Sequence, residues 1–163
     1  RGAGMFLGYA DPQQTLESHT PDGFFLTGDI GHVCSDGAVV ITDRKKDLII
    51  TSGFNVYPTD IEAVLRQCPH VEDVAVIGEP DAICGEVVKA VISVKRNGAF
   101  DRASFDAFVA EHLAKHKRPR IVEIVEGELP KNFLGKVLRG KLRAESVEPT
   151  AEPAEVLSET SKE

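Results

Sequence analysis

Twenty residues, from Asp43 to Glu62, constrain this chain more than any other stretch: Asp-Arg-Lys-Lys-Asp-Leu-Ile-Ile-Thr-Ser-Gly-Phe-Asn-Val-Tyr-Pro-Thr-Asp-Ile-Glu. A charged run leads into Leu48-Ile49-Ile50, which reads as a strand, and Ser52-Gly53 breaks it. Thr59-Asp60-Ile61-Glu62 has the pattern of a capping box, in which a Thr hydroxyl and a Glu carboxylate satisfy opposite orphan N–H groups at a helix start. Ile61, Val64 and Leu65 continue as an i, i+3, i+4 apolar stripe. Strand, glycine turn and helix thus follow one another within a very short span.

The rest of the chain keeps that alternation. Val33-Cys34, Ser35-Asp36-Gly37 and Ala38-Val39-Val40-Ile41 form a hairpin signal, because Asp-Gly supplies the positive φ angles of a tight turn. Val74 and Val76 on one face, with Ala75 and Ile77 on the other, predict a buried strand. Val88, Ala90, Ile92 and Val94 alternate with Val87, Lys89, Val91 and Ser93, as in a strand with one face better buried. Phe105, Phe108, Val109 and Leu113 have helical spacing, on a helix expected to stop near Arg118-Pro119. Ile121–Val125 reads as another strand and Val137–Ala144 as a last short helix. The pattern predicts an α/β (α+β) fold, a small mixed sheet with flanking helices. There is no internal repeat.

Charge separates the end of the chain from the rest. The formal charge is −7, and residues 145–163 hold six acids against the single base Lys162. With Pro149, Pro153 and scattered Glu, Ser and Thr, this segment reads as a disordered acidic tail. What remains is nearly balanced, which argues against nucleic acid as a partner. Cys34, Cys68 and Cys84 are widely spaced and show no Cys-x-x-Cys pairing, a pattern of reduced thiols in a cytoplasmic protein. The N-terminal residues carry no signal-peptide pattern, and no apolar run approaches the roughly 20 residues that span a bilayer.

Two further motifs flank the opening stretch, Gly23-Phe-Phe-Leu-Thr-Gly-Asp29 and Leu129-Pro-Lys-Asn-Phe-Leu-Gly-Lys136. In this order the three resemble the C-terminal third of the adenylate-forming (AMP-dependent) acyl-CoA synthetases, with wording closest to bacterial long-chain fatty-acid–CoA ligases. The resemblance covers roughly residues 1–144, and three ordered motifs are far more specific than one. It implies a longer protein, since the Gly/Ser/Thr-rich phosphate loop of such enzymes lies upstream of anything matching Asp29. Residues 1–45 would then be the mostly β end of an N-terminal adenylation domain, 46–145 a mobile C-terminal domain and 146–163 the tail.

The resemblance also assigns roles. Asp29 would accept hydrogen bonds from both ribose hydroxyls of ATP, although a lone Gly-Asp pair more often serves its own turn. Arg44 would reach the nucleotide ribose or phosphate, its alternative being a surface salt bridge with Asp43 or Asp47. Lys46 falls at the family's hinge, where a polar side chain is solvated in both states of a rotating domain. The loop Gly53-Phe54-Asn55 would line the pantetheine tunnel in the thioester-forming state; the plainer reading is a turn between strand and helix. Lys136 is the catalytic candidate: carboxylate and α-phosphate are both negative, and an ammonium between them offsets the repulsion. Arg139, Lys141 and Arg143 read as a solvated basic face without a catalytic role.

ATP and CoA are therefore the expected co-substrates, with Mg2+ held mainly by the upstream domain. Partners would be that domain and a fatty acid, with peripheral membrane contact compatible with such a substrate. His112 and His116 stand four apart without a third ligand, so no metal site is expected. Lys115 to Arg120 could touch the CoA 3′-phosphate, a solvated helix end being the simpler reading. Phe54, Phe105, Phe108 and Phe133 read as core or lid packing. Ile50 stands where several relatives carry a lysine of the second half-reaction, leaving that role unfilled. The chain alone would be inactive. The competing readings are a stand-alone interaction module acting in trans and another adenylate-forming enzyme, for amino acids or aryl acids.

Overall fold

The computed structural model describes residues 2, 4–95 and 100–147. A short helix α1 (Pro12–Glu17) precedes an antiparallel pair, β1 (Asp29–Val33) and β2 (Val39–Arg44). The turn between them follows the sequence: Cys34 and Ala38 are joined by a main-chain bond of 2.8 Å, and Gly37 takes φ +86°. A 3₁₀ turn, Lys45–Asp47, then leads into a five-stranded mixed sheet.

That sheet is built from β3 (Ile49–Thr51), β4 (Phe54–Val56), β5 (Val71–Asp81), β6 (Gly85–Val94) and β7 (Ile121–Val125). β5 and β6 form a long antiparallel hairpin, and β7 lies parallel to β6 after a crossover through α3 (Arg102–His112). β3 joins the same edge of β6 as β7, but pairs with it only at Thr51–Gly85. The described part of the chain is thus the small mixed sheet with flanking helices that the alternation predicts.

Both faces of the central hairpin are covered, where the alternation predicts one better-buried face on β6. Val74, Val76, Val88, Ala90 and Ile92 pack against Ile61 and Leu65 of α2 (Pro58–Leu65) and Phe105 and Val109 of α3. On the opposite face Ala75, Ile77 and Val91 pack against Leu129 and Leu142, the latter from α4 (Arg139–Val147). Burial of residues 87–93 is therefore continuous, as in strands covered on two sides. α4 extends to Val147, so the expected tail beginning at residue 146 lies outside the described residues from 148 onward.

Helix ends differ from the sequence expectation in α2, α3 and α4. α4 starts at Arg139 and not at Val137, because Val137 pairs with Lys131 in an isolated antiparallel bridge. α3 is capped by Asp101, whose carboxylate accepts from Ala103 and Ser104, but it stops at His112 rather than near Arg118. The Arg118 guanidinium folds back to donate to the carbonyls of Leu113 (2.9 Å) and Ala110 (2.8 Å), occupying orphan acceptors at the helix end. At the start of α2 the capping box does not form. Tyr57 is the N-cap residue without a side-chain cap bond, and Pro58 occupies the first turn. The orphan Thr59 N–H donates instead to Oδ2 of Asp43, 3.0 Å away on β2, while Asp43 Oδ1 accepts from Arg44 N.

Asp43 is buried, so a remote carboxylate does what the local motif was expected to do. Asp43→Ala is expected to lower the unfolding free energy of the chain by about 1–2 kcal/mol, the range of a lost helix cap. Urea unfolding checks this, with Thr59→Val, which keeps the donating N–H, expected to be much milder.

The N-terminal pair is less well covered. Leu7, Leu16, Leu26, Val33, Val39 and Ile41 are all exposed.

Candidate functional site

Asp29 and Arg44, fifteen positions apart in sequence, are directly opposite each other in the β1–β2 register. Arg44 Nε donates to Asp29 Oδ1 at 2.9 Å, with the two side chains 44% and 27% exposed. Asp43 and Asp47, the side-chain partners of the alternative reading, are buried on other bonds: Asp43 accepts from the Arg44 and Thr59 N–H groups, and Asp47 pairs with Arg139 and Arg143. Gly28 takes φ +75° just before Asp29, and its carbonyl accepts from Lys45 N, which ties this turn to the start of the 3₁₀ turn. A carboxylate and a guanidinium, both reachable from solvent, suit a ligand with neighbouring hydroxyls and negative charge.

Lys46 is exposed in the 3₁₀ turn, whereas its neighbour Asp47 is buried. Lys136 is also exposed and enters no ion pair among the described residues. Its position comes from a compact turn. Asn132 Oδ1 accepts from Leu134 N and Lys136 N, Asn132 N donates to Lys136 O, and Gly135 takes φ +78°. Phe133 and Leu134, at the tip, are 94% and 77% exposed, so Phe133 is not core. Arg44, Lys46 and Lys136 come together along one open cleft of about 460 Å3, together with Asn132 and Arg139.

Gly53, Phe54 and Asn55 lie elsewhere. β3 and β4 are a two-residue hairpin, with Ser52 at φ +48° and Gly53 at φ +81°. The plain turn between strand and helix is thus corrected: Phe54–Val56 forms another strand. Phe54 is half exposed and stacks on His116, ring centroids 4.7 Å apart and planes 19° from parallel. These rings, with Lys115, Arg118, Arg120 and Cys84, line a second cleft of about 420 Å3. Among the described residues the two clefts share no lining residue. His116 sits in the 3₁₀ turn Lys115–Lys117, off the α3 helix that carries His112, so the i, i+4 spacing does not translate into a shared helix face.

Sequence reasoning missed an ionic network below the first cleft. Arg139 is no part of a solvated face: its Nη2 reaches Glu62 Oε1 at 2.8 Å and Oε2 at 2.9 Å, with side chains only 13% and 5% exposed. Glu62 Oε1 also accepts from Val76 N at 2.9 Å. Arg139 Nη1 lies 3.6 Å from Asp47 Oδ2, and Arg143 Nη1 bonds Asp47 Oδ1 at 3.0 Å. The network joins the segment after Lys46, the middle of α2 and the helix after Lys136. Burial opposes the Arg139 charge, but Glu62 and then Asp47 outweigh it and hold its pKa above the ordinary value. One signal was visible in sequence: Glu62 sits beside Ile61 and three before Leu65, on the face those residues bury.

Lys131 has a comparable anchor in Asp73, 2.9 Å away. Burial works against the Asp73 carboxylate, yet bonds from Lys131 and Val74 N hold it below the usual carboxylate range. Among the described residues no group of three or more His, Cys, Asp or Glu is placed to hold a metal, and no helix is long and apolar enough to cross a membrane.

Residues 60–136 match the AMP-binding enzyme C-terminal domain. The chain is 44% identical over 144 residues to a methyl-dioxo-octahydro-indenyl-propanoyl:CoA ligase of Mycobacterium tuberculosis, covering 88% of this chain and 28% of that protein. It is 42% identical over 146 residues to the long-chain-fatty-acid–CoA ligase of Salmonella typhimurium, covering 90% and 26%. Its fold superposes on the ATP-bound crystal structure of MatB from Rhodopseudomonas palustris with a TM-score of 0.83 at 41% identity, over 89% of this chain and 29% of that one. The chain thus spans little more than a quarter of the length of the relatives it matches.

Proposed function

From a chain that belongs to the adenylate-forming enzymes, with their AMP-binding enzyme C-terminal domain at residues 60–136, we propose the following function. It is the C-terminal part of an ATP-dependent acid–CoA ligase that forms an acyl-AMP and then an acyl-CoA, with a long-chain fatty acid as the acid. The observation that carries the reading is the convergence of Arg44, Lys46 and Lys136 on one cleft, with Asp29 bonded to Arg44 at its edge.

In this reading Asp29 accepts from the ribose hydroxyls, and Arg44 keeps that carboxylate oriented while adding positive charge near the phosphate. Lys136 brings an ammonium between the attacking carboxylate and the α-phosphate, where charge accumulates as pyrophosphate leaves. The Asn132 turn presents it, and its flexible stem covers the remaining reach. Lys46 is the pivot about which the residues after it turn between half-reactions. The Gly53–Asn55 hairpin and the second cleft then serve CoA: the Phe54–His116 stack offers an aromatic surface and Lys115 a cation for the nucleotide end. Residues 1–45 close the upstream adenylation domain, which supplies the Mg2+ site and most of the acyl pocket. The setting is cytoplasmic.

The test uses a full-length ligase carrying this chain, assayed for pyrophosphate release and acyl-CoA formation across a panel of acids. Asp29→Ala is expected to raise the KM for ATP about tenfold or more, by loss of hydrogen bonds to a charged acceptor. An unchanged KM removes Asp29 from the nucleotide site. The Mycobacterium tuberculosis relative names a bicyclic propanoyl group, so a preference for a ring-bearing acid over palmitate would replace the fatty-acid assignment and keep the reaction.

A further inference from the structure

We infer that Glu86 is a positioning residue whose carboxylate fixes the Gly53–Asn55 hairpin to the central sheet; the inference rests on the proposed role of that hairpin in the CoA half-reaction. β3 cannot be held by an ordinary strand ladder. The edge of β6 that it approaches is taken by β7 from Lys89 to Ser93, which leaves β3 the single register pair Thr51–Gly85. A second main-chain bond, Ser52 N to Cys84 O at 2.9 Å, lies at the same end. The next donor along β3, Ile50 N, has no strand to pair with on that side. It donates to Glu86 Oε2 at 2.7 Å, a short charge-assisted bond.

The surroundings are shaped for that carboxylate. Gly85, which pairs with Thr51, takes φ +80° at the start of β6, with β3 alongside it in ordinary contact. Across the β5–β6 hairpin, Gly78 leaves the space in which the Glu86 carboxylate lies: a Cβ on Gly78 would stand 2.5 Å from Oε1 and 2.9 Å from Cδ. Beyond its strand pairing the hairpin is anchored by Ile49 and Val56, both fully buried in the core, and by the stack of Phe54 on His116. With the base of the hairpin held in the core, what Glu86 adds is the bond that fixes the Ile50 main chain against β6; without it the Gly53 turn would be held less firmly beside the second cleft.

Two measurements decide the matter. On the isotopically labelled 163-residue chain, Glu86→Ala is expected to speed amide exchange at Ile50 by about tenfold or more, the scale of one lost charge-assisted bond, with core amides such as Val76 and Ile92 unchanged. Glu86→Gln should restore part of the protection, and Gly78→Ala, which displaces the carboxylate without removing it, should lose part. Unchanged exchange at Ile50 in Glu86→Ala overturns the inference.

In a full-length ligase carrying the chain, Glu86→Ala is expected to slow conversion of supplied acyl-AMP to acyl-CoA and raise the KM for CoA, leaving pyrophosphate release within about twofold. Gly53→Leu, which blocks the turn itself, separates the two ways of failing. If Gly53→Leu impairs the CoA step and Glu86→Ala does not, the positioning role is wrong. If neither variant touches that step, the role of the hairpin falls, and the positioning role with it.

Discussion

In a full-length ligase carrying this chain, Lys136→Ala is expected to lower the rate of acyl-AMP formation by about 10²–10³-fold, the effect of removing one group aimed at developing charge. The same variant should convert supplied acyl-AMP to acyl-CoA at nearly the parent rate. The asymmetry follows from where Lys136 sits. It is exposed on a turn closed by Asn132 and enters no ion pair among the described residues, so its removal takes nothing from the packing. In the proposed reaction its ammonium has work only where two anions must meet, which is the first half-reaction. Lys136→Arg, which keeps the charge on a wider and more rigid head, should recover part of the first rate. Pyrophosphate release and acyl-CoA formation from acyl-AMP, measured separately, give the two numbers. Equal losses in both would sink the assignment of Lys136 to adenylation.

Arg139→Ala is the variant expected to damage the fold most. It leaves Glu62, 5% exposed, with its carboxylate on Val76 N and the distant Arg66 nitrogen at 3.4 Å, without its close counter-ion. Breaking a buried pair from one side costs about 3–5 kcal/mol, because the partner's charge stays desolvated. With only 13% of the Arg139 side chain exposed, solvent screening reduces that little. Urea unfolding of the chain measures it, and a loss below about 1 kcal/mol would mean that Glu62 finds other solvation. Arg139→Ala combined with Glu62→Met should be milder than Arg139→Ala alone, since it removes the orphaned charge too. The network also ties α4, which follows Lys136, to Asp47, which follows Lys46. Loosening it should let the two ends of the first cleft move independently.

Much of the architecture was legible from local pattern. The Asp36-Gly37 turn, the break at Ser52-Gly53, the apolar runs at Val74–Ile77 and Val87–Val94 and the stripe of Ile61 and Leu65 each depend on neighbours in the chain, and each appears where the pattern put it. The three ordered motifs were equally legible, and the resemblance they carry put forward Asp29, Arg44, Lys46, Lys136 and the Gly53–Asn55 loop as candidates. What misled was any motif whose partner could be supplied from elsewhere. Thr59 and Glu62 satisfy the spacing of a capping box, but Asp43 takes the helix N–H from another strand. Glu62 is thereby free to face inward and pair with Arg139, 77 positions away. Arg139 and Arg143 looked like surface charge for the same reason: nothing near them in sequence announces a buried acid.

By itself, then, the sequence determined the order of strands and helices, the turns and the identity of the chemical groups. Periodicity, glycine placement and residue type act over a few positions and need no knowledge of the whole. Only the tertiary structure decided which groups meet: the Asp29–Arg44 pair, the cleft shared by Lys46 and Lys136, the separate cleft under Phe54 and the carboxylate of Glu86 against Ile50. Those contacts join segments far apart in the chain. A buried charge or an unpaired N–H is satisfied by whichever partner the packing brings within about 3 Å, and packing is a property of the folded whole.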